Sequence, residues 1–314
     1  MKERLPPLTA LRAFEAASRH MSFAKAAEEL NVTPAALSYQ IKALEADLGT
    51  PVFRRLNRAV ELTEAGRTLA PGTSDAFGTL SAAWRNAKRL NDSSVLTVTA
   101  GPAFTSKWLA PRLYDFAQAH PEIELRFHAS LRIANFDRDE VDVAIRFGLG
   151  TTGDVFAEPL IQEWMTPMMS PELARDITTP ADLAGATLIH DDSIAFLEPP
   201  CDWAAWCKAA EINIDTDHGP RFSQADHALD VAMTGAGVVL ARVSLATRAL
   251  ETGRLVAPFD LGIVADAQFR FVCPKGNETR PHIKAFHDWM MDEIKASRKY
   301  ENGRRLVMAS DLSD

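Results

Sequence analysis

The amino-acid sequence predicts a multidomain α+β protein, and three observations support that prediction. Amphipathic helical segments fill the stretch before residue 50, a pair of short alternating stretches and one long helical stretch follow, and strands alternate with helices from residue 92 onwards. The chain of 314 residues is long enough for two or three domains, each with its own core.

The N-terminal part predicts three consecutive helices. Apolar residues at helical spacing predict the first over Leu8–His20, and Ser22 is a good N-cap for the second. Asn31-Val32-Thr33 forms a short turn, after which Thr33 caps a third helix. That helix begins at Pro34, where a missing N–H has no cost, and ends at Gly49.

The third helix has two distinct faces. Its apolar side, which we expect in the core, consists of Leu37, Ile41, Leu44 and Leu48. Its opposite side consists of Ala35, Ser38, Tyr39 and Lys42. A helix that turns small and hydrogen-bonding residues outward, held by a partner across a tight turn, suits insertion into a DNA major groove. A plain solvated helix face is the alternative interpretation.

A predicted β-hairpin follows the third helix. Val52–Arg55 and Ala59–Leu62 are the two short strands, and three arginines cluster at the tip, namely Arg54, Arg55 and Arg58. A hairpin in this position forms a wing whose arginines suit phosphate contacts, although they could serve solubility alone.

A long helix is predicted from the cap at Thr63 to about Leu90. Its apolar seam consists of Leu69, Phe77, Leu80 and Trp84, and we expect this seam to meet another subunit. Pro71-Gly72 is expected to kink the second turn of the helix.

The charge distribution supports a nucleic-acid partner. The whole chain has a net charge of −8, yet residues 1–90 hold 13 Lys and Arg against 9 Asp and Glu. A basic N-terminal part on an acidic chain favours contact of that part with a polyanion.

We find no apolar run of membrane-spanning length and no export signal, so we expect a cytoplasmic protein. Cys201, Cys207 and Cys273 are interpreted as reduced thiols, with a redox switch as the alternative.

The C-terminal part follows a polar hinge at Asn91–Ser94 and predicts an α/β domain. Its predicted strands are Val95–Ala100, Glu124–Ala129, Val141–Phe147, Trp164–Met169, Thr187–His190, Val238–Ala241 and Phe269–Cys273. Its predicted helices are Ser106–His120, Asp202–Ala210, Gln224–Thr234 and Pro281 to about Lys299. The tail after Tyr300 is polar and is expected to be loose.

Motifs along nearly the whole chain resemble those of one protein family. In the N-terminal part they are AAEELNVTPAALSYQIKALEADLGTPVFRR and LTEAG, and in the C-terminal part HPEIELR, VDVAIRFG and ALDVAMTGAGVVLARVSLATRALETGRLVAPF. In this order they resemble the LysR-type bacterial transcription regulators. Within that family they are most similar to the subgroup that includes the glycine-cleavage activator and the β-lactamase regulator.

The resemblance implies a domain organisation and a function. It implies a winged helix-turn-helix DNA-binding domain over residues 1–65, a dimerising linker helix over 63–91, an effector-binding domain over 92–300 and a polar tail over 301–314. The effector domain would be periplasmic-binding-protein-like, with lobe I over about 92–162 and 267–300 and lobe II over about 163–266. A small effector would bind between the lobes. Homodimers assembling to homotetramers, a partly palindromic double-stranded DNA operator and RNA polymerase are the implied partners, and no cofactor is implied.

The resemblance also assigns DNA-facing residues. Contacts to base edges would come from Pro34, Ala35, Ser38 and Tyr39. Contacts to the DNA backbone would come from Ser22, Thr33, Gln40, Lys42, Arg54, Arg55 and Arg58. Members of the family often carry an arginine where this sequence has Tyr39, so a bidentate arginine–guanine contact is not available there.

The expected effector site is built from both lobes. Its candidate residues are Thr99, Thr105, Ser106, Arg146, Ser223, Gln224, Asp226 and His227. Related regulators often place hydroxyls where this sequence has Ala103 and Ala225. The hydroxyls of Thr99, Thr105 and Ser106 could compensate, with a plain N-cap role as the alternative for Ser106. Arg146 could pair with a ligand carboxylate or form a structural ion pair with Asp142 or a neighbour. These residues favour a small carboxylate or an amino acid as effector.

Other functions have weaker support in the sequence. His190-Asp191-Asp192 and Asp226-His227 lack metal-site spacing, and Gly235-Ala236-Gly237 lacks the third glycine of a dinucleotide loop. We therefore expect no enzymatic activity. A DNA-binding regulator without an effector is the main alternative, and a redox-sensing regulator is a weaker one. Trp203 and Trp206 are interpreted as core residues.

Overall fold

A computed structural model describes residues 5–56, 59–89, 94–151 and 153–312. The chain divides into two units, Met1–Asn91 and Asp92–Asp314. We call the described part of the first unit the head. None of the described helices combines the length and the hydrophobicity that crossing a bilayer requires.

The head begins with the three predicted helices. They are α1 (Leu8–His20), α2 (Phe23–Glu29) and α3 (Pro34–Leu48). The Ser22 hydroxyl accepts a hydrogen bond from Lys25 N at 3.4 Å, and the Thr33 hydroxyl accepts one from Ala36 N at 3.2 Å. Gly49 ends α3 at φ 73°, a conformation that glycine adopts without strain. The predicted helix limits and caps are confirmed.

The apolar side of α3 packs against α1 and α2. Leu37, Ile41 and Leu44 are at most 2% exposed, but Leu48 is 48% exposed. The prediction of a core position was therefore wrong for Leu48, because it occupies the last turn of the helix, beyond the packed part of the head. Glu45 fixes the following segment, since its Oε1 accepts hydrogen bonds from Val52 N at 2.9 Å and Phe53 N at 3.3 Å.

The hairpin and the long helix complete the head. Strands β1 (Phe53–Leu56) and β2 (Ala59–Leu62) pair antiparallel. Helix α4 (Glu64–Arg89) includes Pro71 in its interior and is not interrupted there.

The apolar seam predicted for α4 divides in two. Leu69 and Phe77 pack against the core of the head, whereas Leu80 is 54% and Trp84 is 66% exposed. Leu69 and Phe77 therefore have contacts within the head, where α4 also packs against α1, and the contact of the seam with another subunit stays a prediction. The second half of the seam remains available.

The second unit is built on one sheet of nine strands. They are β3 (Val95–Ala100), β4 (Glu124–Ala129), β5 (Val143–Gly148), β6 (Val155–Met168), β7 (Leu188–Asp191), β8 (Arg221–Phe222), β9 (Val238–Arg242), β10 (Leu261–Pro274) and β11 (Arg305–Met308). The order is β4-β3-β5-β10-β6-β9-β7-β8, and β11 pairs with β10.

Two long strands divide this sheet into two lobes. β6 and β10 pair antiparallel over most of their 14 residues each. Near one end β10 pairs with β5, and near its other end with β11, while β6 continues to β9. We call the half built on β3, β4 and β5 lobe I, and the half built on β7, β8 and β9 lobe II. The two lobes and their crossing strands agree with the fold that the resemblance implied.

The helices of the second unit flank the sheet. They are α5 (Pro102–Phe104), α6 (Leu113–Ala119), α7 (Trp203–Ala209), α8 (Ala225–Met233), α9 (Val243–Glu251) and α10 (Pro281–Ser297). The first two are joined by a π-helical turn at Thr105–Leu109 and a 3-10 turn at Ala110–Arg112. The helix predicted over Ser106–His120 thus begins earlier, with Gly101 as its N-cap, and the N-cap role considered for Ser106 was wrong.

The C-terminal segment corrects another expectation. Instead of a loose tail, β11 pairs parallel with Leu261–Val264, and Ala309 is 1% exposed. The Arg305 guanidinium donates to Ala209 O at 2.9 Å. Because Ala309 fills part of the lobe II core, this polar-looking segment gains enough apolar contact to be ordered.

The core of lobe II contains both tryptophans of the CDWAAWC motif. Trp203 donates its indole N–H to Ile189 O at 3.0 Å, and Trp206 donates to Leu261 O at 3.3 Å. Both are at most 2% exposed, which confirms the prediction of core positions. The cysteines are buried and free, and burial raises the pKa of the Cys201 and Cys273 thiols to about 12. Such thiols are poorly reactive, which disfavours a redox switch.

Candidate DNA-binding surface and effector cavity

The outward side of α3 forms a continuous accessible surface. Tyr39 is 71% exposed, Pro34, Ala35 and Lys42 are exposed, and Ser38 is half-buried. These side chains are neutral except for Lys42, and the hydroxyls of Ser38 and Tyr39 can both donate and accept hydrogen bonds. The surface therefore has the chemistry needed to read base edges.

Residues around this surface suit backbone contacts to DNA. Ser22 and Thr33 already cap α2 and α3, and the Gln40 amide oxygen accepts from the Thr9 hydroxyl at 3.4 Å. Arg54 on β1 is exposed. The side chain of Arg55 and the whole of Arg58 lie outside the described residues, so their predicted phosphate contacts stay predictions.

An ion-pair cluster joins α1 to α2. Glu29 contacts Arg19 at 2.5 Å and His20 at 2.6 Å, and Arg19 also contacts Glu15 at 3.1 Å. Hydrogen bonds from Arg19 and His20 lower the pKa of Glu29 to about 2. The cluster connects the end of α1 to the end of α2 and so supports the helix pair that carries α3.

A cavity of about 130 Å³ lies between the lobes of the second unit. It is lined by Gly101, Pro102, Ala103, Phe104, Ser130, Leu131, Ile145, Arg146, Phe147, Ser193, Phe196, Gln224, Arg242 and Phe269. Several of these follow or end parallel strands in both lobes. The carboxyl ends of parallel strands are the usual ligand position in open α/β sheets, so the topology itself gathers these residues.

Arg146 is the cation of lobe I in this cavity. Its guanidinium donates to the Thr99 hydroxyl at 3.1 Å and to Arg132 O at 3.0 Å, and its Nε is buried without a partner. No carboxylate of the described residues lies within ion-pair distance, so the structural pair considered with Asp142 is not formed. Burial lowers the pKa of Arg146, with a smaller contribution from the positive charge of Arg132. An arginine keeps its charge even so, which makes the cavity an attractive place for an anion.

Arg242 is the cation of lobe II. It ends β9, its side chain is 7% exposed, and it donates to Asp191 Oδ2 at 3.3 Å and to Ser193 Oγ at 2.9 Å. Its guanidinium lies 5.1 Å from the centroid of the Phe147 ring, and its Nε is buried without a partner. Arg242 is therefore held in place but retains an unused donor.

Glu163 on β6 adds a buried acid close to this region. It is 1% exposed, and its Oε1 accepts a short hydrogen bond from Ser244 at the start of α9. Burial raises its pKa to about 7, against the opposing effects of Ser244 and Arg242.

Comparison with known proteins identifies the chain. The helix-turn-helix model of the lysR family of bacterial regulatory proteins matches residues 8–67, and the LysR substrate binding domain matches residues 91–295. The chain belongs to the LysR family of transcriptional regulators. The predicted resemblance is thereby confirmed, as is the fold that it implied.

Similar proteins span nearly the whole chain. The glycine cleavage system transcriptional activator of Escherichia coli (strain K12) is 40% identical over 303 residues, which cover 95% of this chain and 97% of that protein. The HTH-type transcriptional activator AmpR of Citrobacter koseri is 34% identical over 285 residues, 91% of this chain and 97% of that protein. The solved effector domain of AmpR of Pseudomonas aeruginosa is 28% identical, with a TM-score of 0.54, and covers 66% of this chain and 98% of that one. Both subgroup members named in the resemblance are thus among its relatives.

The cavity of this LysR-type regulator contains only some of the predicted effector residues. Arg146 and Gln224 line it, and Thr99 supports Arg146 from behind. The Thr105 hydroxyl donates to Gly101 O at 3.0 Å and does not line the cavity. Ser223 and His227 are exposed and lie outside the lining.

Ser106 and Asp226 have a different position from the expected one. Ser106 Oγ in the π-helical turn donates to Asp226 Oδ2 on α8 at 3.1 Å, and Lys107 Nζ pairs with Asp230 Oδ1 at 2.6 Å. These contacts connect the two lobes directly. Neither Ser106 nor Asp226 lines the cavity, so both act here between the lobes.

Sequence reasoning missed Arg242, Ser193 and Phe196. A usable signal existed for Arg242, because it is a single charged residue that directly follows the apolar run VVLA of a buried strand. Ser193 and Phe196 lie in a loop whose position depends on the fold of lobe II, and no local pattern marks them.

Proposed function

We propose that this LysR-type regulator senses a small carboxylate or an amino acid in the cavity between its lobes. The observation that carries the proposal is the Arg146 guanidinium, which is half-buried in the wall of an open cavity and has no acidic partner among the described residues. Taking a charge out of water is costly unless a partner of opposite sign compensates it. A ligand carboxylate is the natural partner.

The DNA contacts of the proposal follow from α3 and the residues around it. Pro34, Ala35, Ser38 and Tyr39 would contact base edges, and the predicted polar and arginine residues around them would contact phosphates. A homodimer would read a partly palindromic operator, because each half-site would meet one copy of α3. The exposed Leu80 and Trp84 on α4 are a suitable dimer contact.

The proposed response links effector binding to transcription. An effector that binds the closed lobes more tightly than the open lobes shifts the population towards closure. In a homotetramer this would change the spacing of the DNA-binding domains, and with it DNA bending and contact with RNA polymerase. The domain limits stated from the sequence and a cytoplasmic location are part of the proposal.

Thermal unfolding of the full-length protein tests the effector site. A ligand that binds only the folded state raises the apparent stability by an amount that depends on its concentration relative to its Kd. We expect a member of a panel of carboxylates and amino acids to raise the melting temperature and to change the operator footprint. Arg146→Gln should abolish the effect, while Arg126→Gln, a change of the same charge on the surface of lobe I, should retain it. A footprint that no ligand changes would favour a regulator without an effector.

A further inference from the structure

The cavity between the lobes is cationic and apolar, and none of the described residues that line it is acidic. We infer that the effector is a small monocarboxylate with an apolar substituent and without a free ammonium group. The inference depends on the proposed function, because it specifies the ligand class of the same cavity. It narrows the earlier choice between a carboxylate and an amino acid.

The charge balance of the cavity points to a ligand with a single negative charge. Arg242 is neutralised by Asp191 at 3.3 Å, and the nearby Arg132 is neutralised by Asp139 at 2.8 Å. Arg146 is the cation of the lining that has no carboxylate partner among the described residues. A monoanion compensates this one charge, whereas a dianion leaves a surplus negative charge in a partly buried site.

An ammonium group would find no carboxylate among the described residues of the cavity wall. Acidic residues of this region lie outside the lining: Asp191 pairs with Arg242, Glu163 Oε1 accepts from Ser244, and Asp226 Oδ2 accepts from Ser106 while its Oδ1 is buried without a partner. Burying a cation beside two guanidinium groups and without an acidic partner is unfavourable. A zwitterion therefore loses at its ammonium group much of what it gains at its carboxylate.

Aromatic and aliphatic side chains form the rest of the wall. The ring centroids of Phe104 and Phe269 are 4.4 Å apart, and those of Phe147 and Phe269 are 5.1 Å apart. At the mouth, Leu131 of lobe I is 67% exposed and Phe196 of lobe II is 55% exposed. An apolar substituent on the ligand would cover these surfaces and gain from their removal from water.

The cavity volume limits the size of the ligand. It measures about 130 Å³, slightly less than an engineered cavity of about 150 Å³ that binds benzene. The enclosed part of the ligand therefore has about six heavy atoms. A four-carbon carboxylate matches this size.

The two arginines come from opposite lobes. Arg146 is on β5 of lobe I and Arg242 ends β9 of lobe II, and both line the same cavity. A carboxylate has two oxygens, and each can accept a charge-assisted hydrogen bond from a different guanidinium. One bound carboxylate would thus connect the lobes and favour their closed arrangement.

Three probes of nearly equal size test the ligand class. Butanoate, 2-hydroxybutanoate and 2-aminobutanoate share one carbon chain, and the last two differ mainly by a neutral hydroxyl against an ammonium. Isothermal titration of the full-length protein should show binding of the first two. The affinity for 2-aminobutanoate should be at least about tenfold lower, which corresponds to about 1.4 kcal/mol.

Variants assign the binding to the cavity. Arg146→Gln should abolish butanoate binding, Arg146→Lys should retain part of it, and Arg126→Gln should leave it unchanged. Arg242→Lys keeps the charge that neutralises Asp191 and should weaken binding by about tenfold, because it removes the planar guanidinium. Phe196→Ala should weaken butanoate binding more than acetate binding.

Different results would overturn the inference and the proposed function. If 2-aminobutanoate binds as well as 2-hydroxybutanoate and loses that affinity in Asp226→Asn, the buried Asp226 Oδ1 receives the ammonium and the inference is wrong. Amino-acid binding that requires Arg146 would leave the proposed function standing. Absence of binding by all three probes overturns the inference, and ligand effects that are indifferent to Arg146→Gln overturn both.

Discussion

The surface of α3 and the cavity between the lobes use polar groups in opposite ways. On α3, Tyr39 is 71% exposed, and the Thr33 hydroxyl at the start of the helix is engaged in a helix cap. In the cavity, Arg242 is 7% exposed and forms a buried ion pair. A substitution on the first surface should therefore alter binding and leave the fold intact. A substitution in the second region should alter stability as well, because a buried partner loses its counter-charge.

The largest effect is expected from breaking the buried pair of Arg242 and Asp191. Arg242→Leu leaves the carboxylate of Asp191, whose side chain is 4% exposed, without its cation. We expect the free energy of unfolding to fall by about 3–5 kcal/mol. Urea unfolding of the full-length protein measures the change.

The control for this pair removes both charges. In the double variant Arg242→Leu with Asp191→Asn, the uncompensated charge is gone, so part of the lost stability should return. Equal stability of the single and double variants would show that packing, and not charge, accounts for the loss.

The second effect concerns Glu163, the buried acid on β6. Burial raises its pKa from 4.5 to about 7. The folded state therefore binds this proton more tightly than the unfolded state, and the stabilisation is complete below about pH 4.5 and lost as the pH rises towards 7. Across that interval the free energy of unfolding should fall by about 3 kcal/mol from this group.

Glu163→Gln isolates this contribution. Glutamine keeps the shape and a polar atom for Ser244 but does not titrate. Between pH 5 and pH 7 the stability of the variant should depend less on pH than that of the parent, as measured by urea unfolding at each pH. The variant Glu172→Gln, at an exposed position of the second unit, should keep the slope of the parent.

The same contrast explains what the sequence could predict. The helices of the head were predicted to the residue because Ser22, Thr33, Pro34 and Gly49 are local signals within a few positions of the element they limit. Other elements depend on contacts between residues distant in sequence, which a short stretch of sequence does not show. Strand β10 extends over Leu261–Pro274, but only Phe269–Cys273 stands out as a strand, because partners distant in sequence stabilise the rest. Helix α9 was missed although its sequence VSLATRALE has a local amphipathic pattern.

The residues of the candidate site were likewise predictable only where a local sequence pattern marks them. Arg146 was predicted because it is the one basic residue of the recognisable strand motif VDVAIRFG, and it lines the cavity. Asp226 and Ser106 were predicted from their position near helix starts, yet the fold directs them at each other. Polar residues near helix starts have several acceptable partners, and only the packing of the lobes selects among them.

The third effect belongs to the surface of α3. Ser38→Ala and Tyr39→Phe should each reduce discrimination between operator and random DNA by about 1–3 kcal/mol for a lost base contact. Thermal stability should be unchanged in Tyr39→Phe, because Tyr39 is exposed. Gel-shift titrations on both DNAs give the ratio. Lys42→Gln serves as contrast, since loss of a phosphate contact should weaken both DNAs equally and reduce the salt slope by about 1.

The smallest effect tests whether the caps of the head are local. Thr33→Ala removes the acceptor for Ala36 N, which lies 3.2 Å from the hydroxyl, and should cost about 1 kcal/mol of stability. Thr33→Ser keeps the hydroxyl and should retain the stability of the parent. Because Thr33 is also a predicted DNA-backbone contact, operator affinity separates its two roles. If Thr33→Ala weakens DNA binding only in proportion to the loss of folded protein, the hydroxyl acts through the helix cap alone. A larger loss that is restored in Thr33→Ser and diminishes with added salt would assign it a phosphate contact as well.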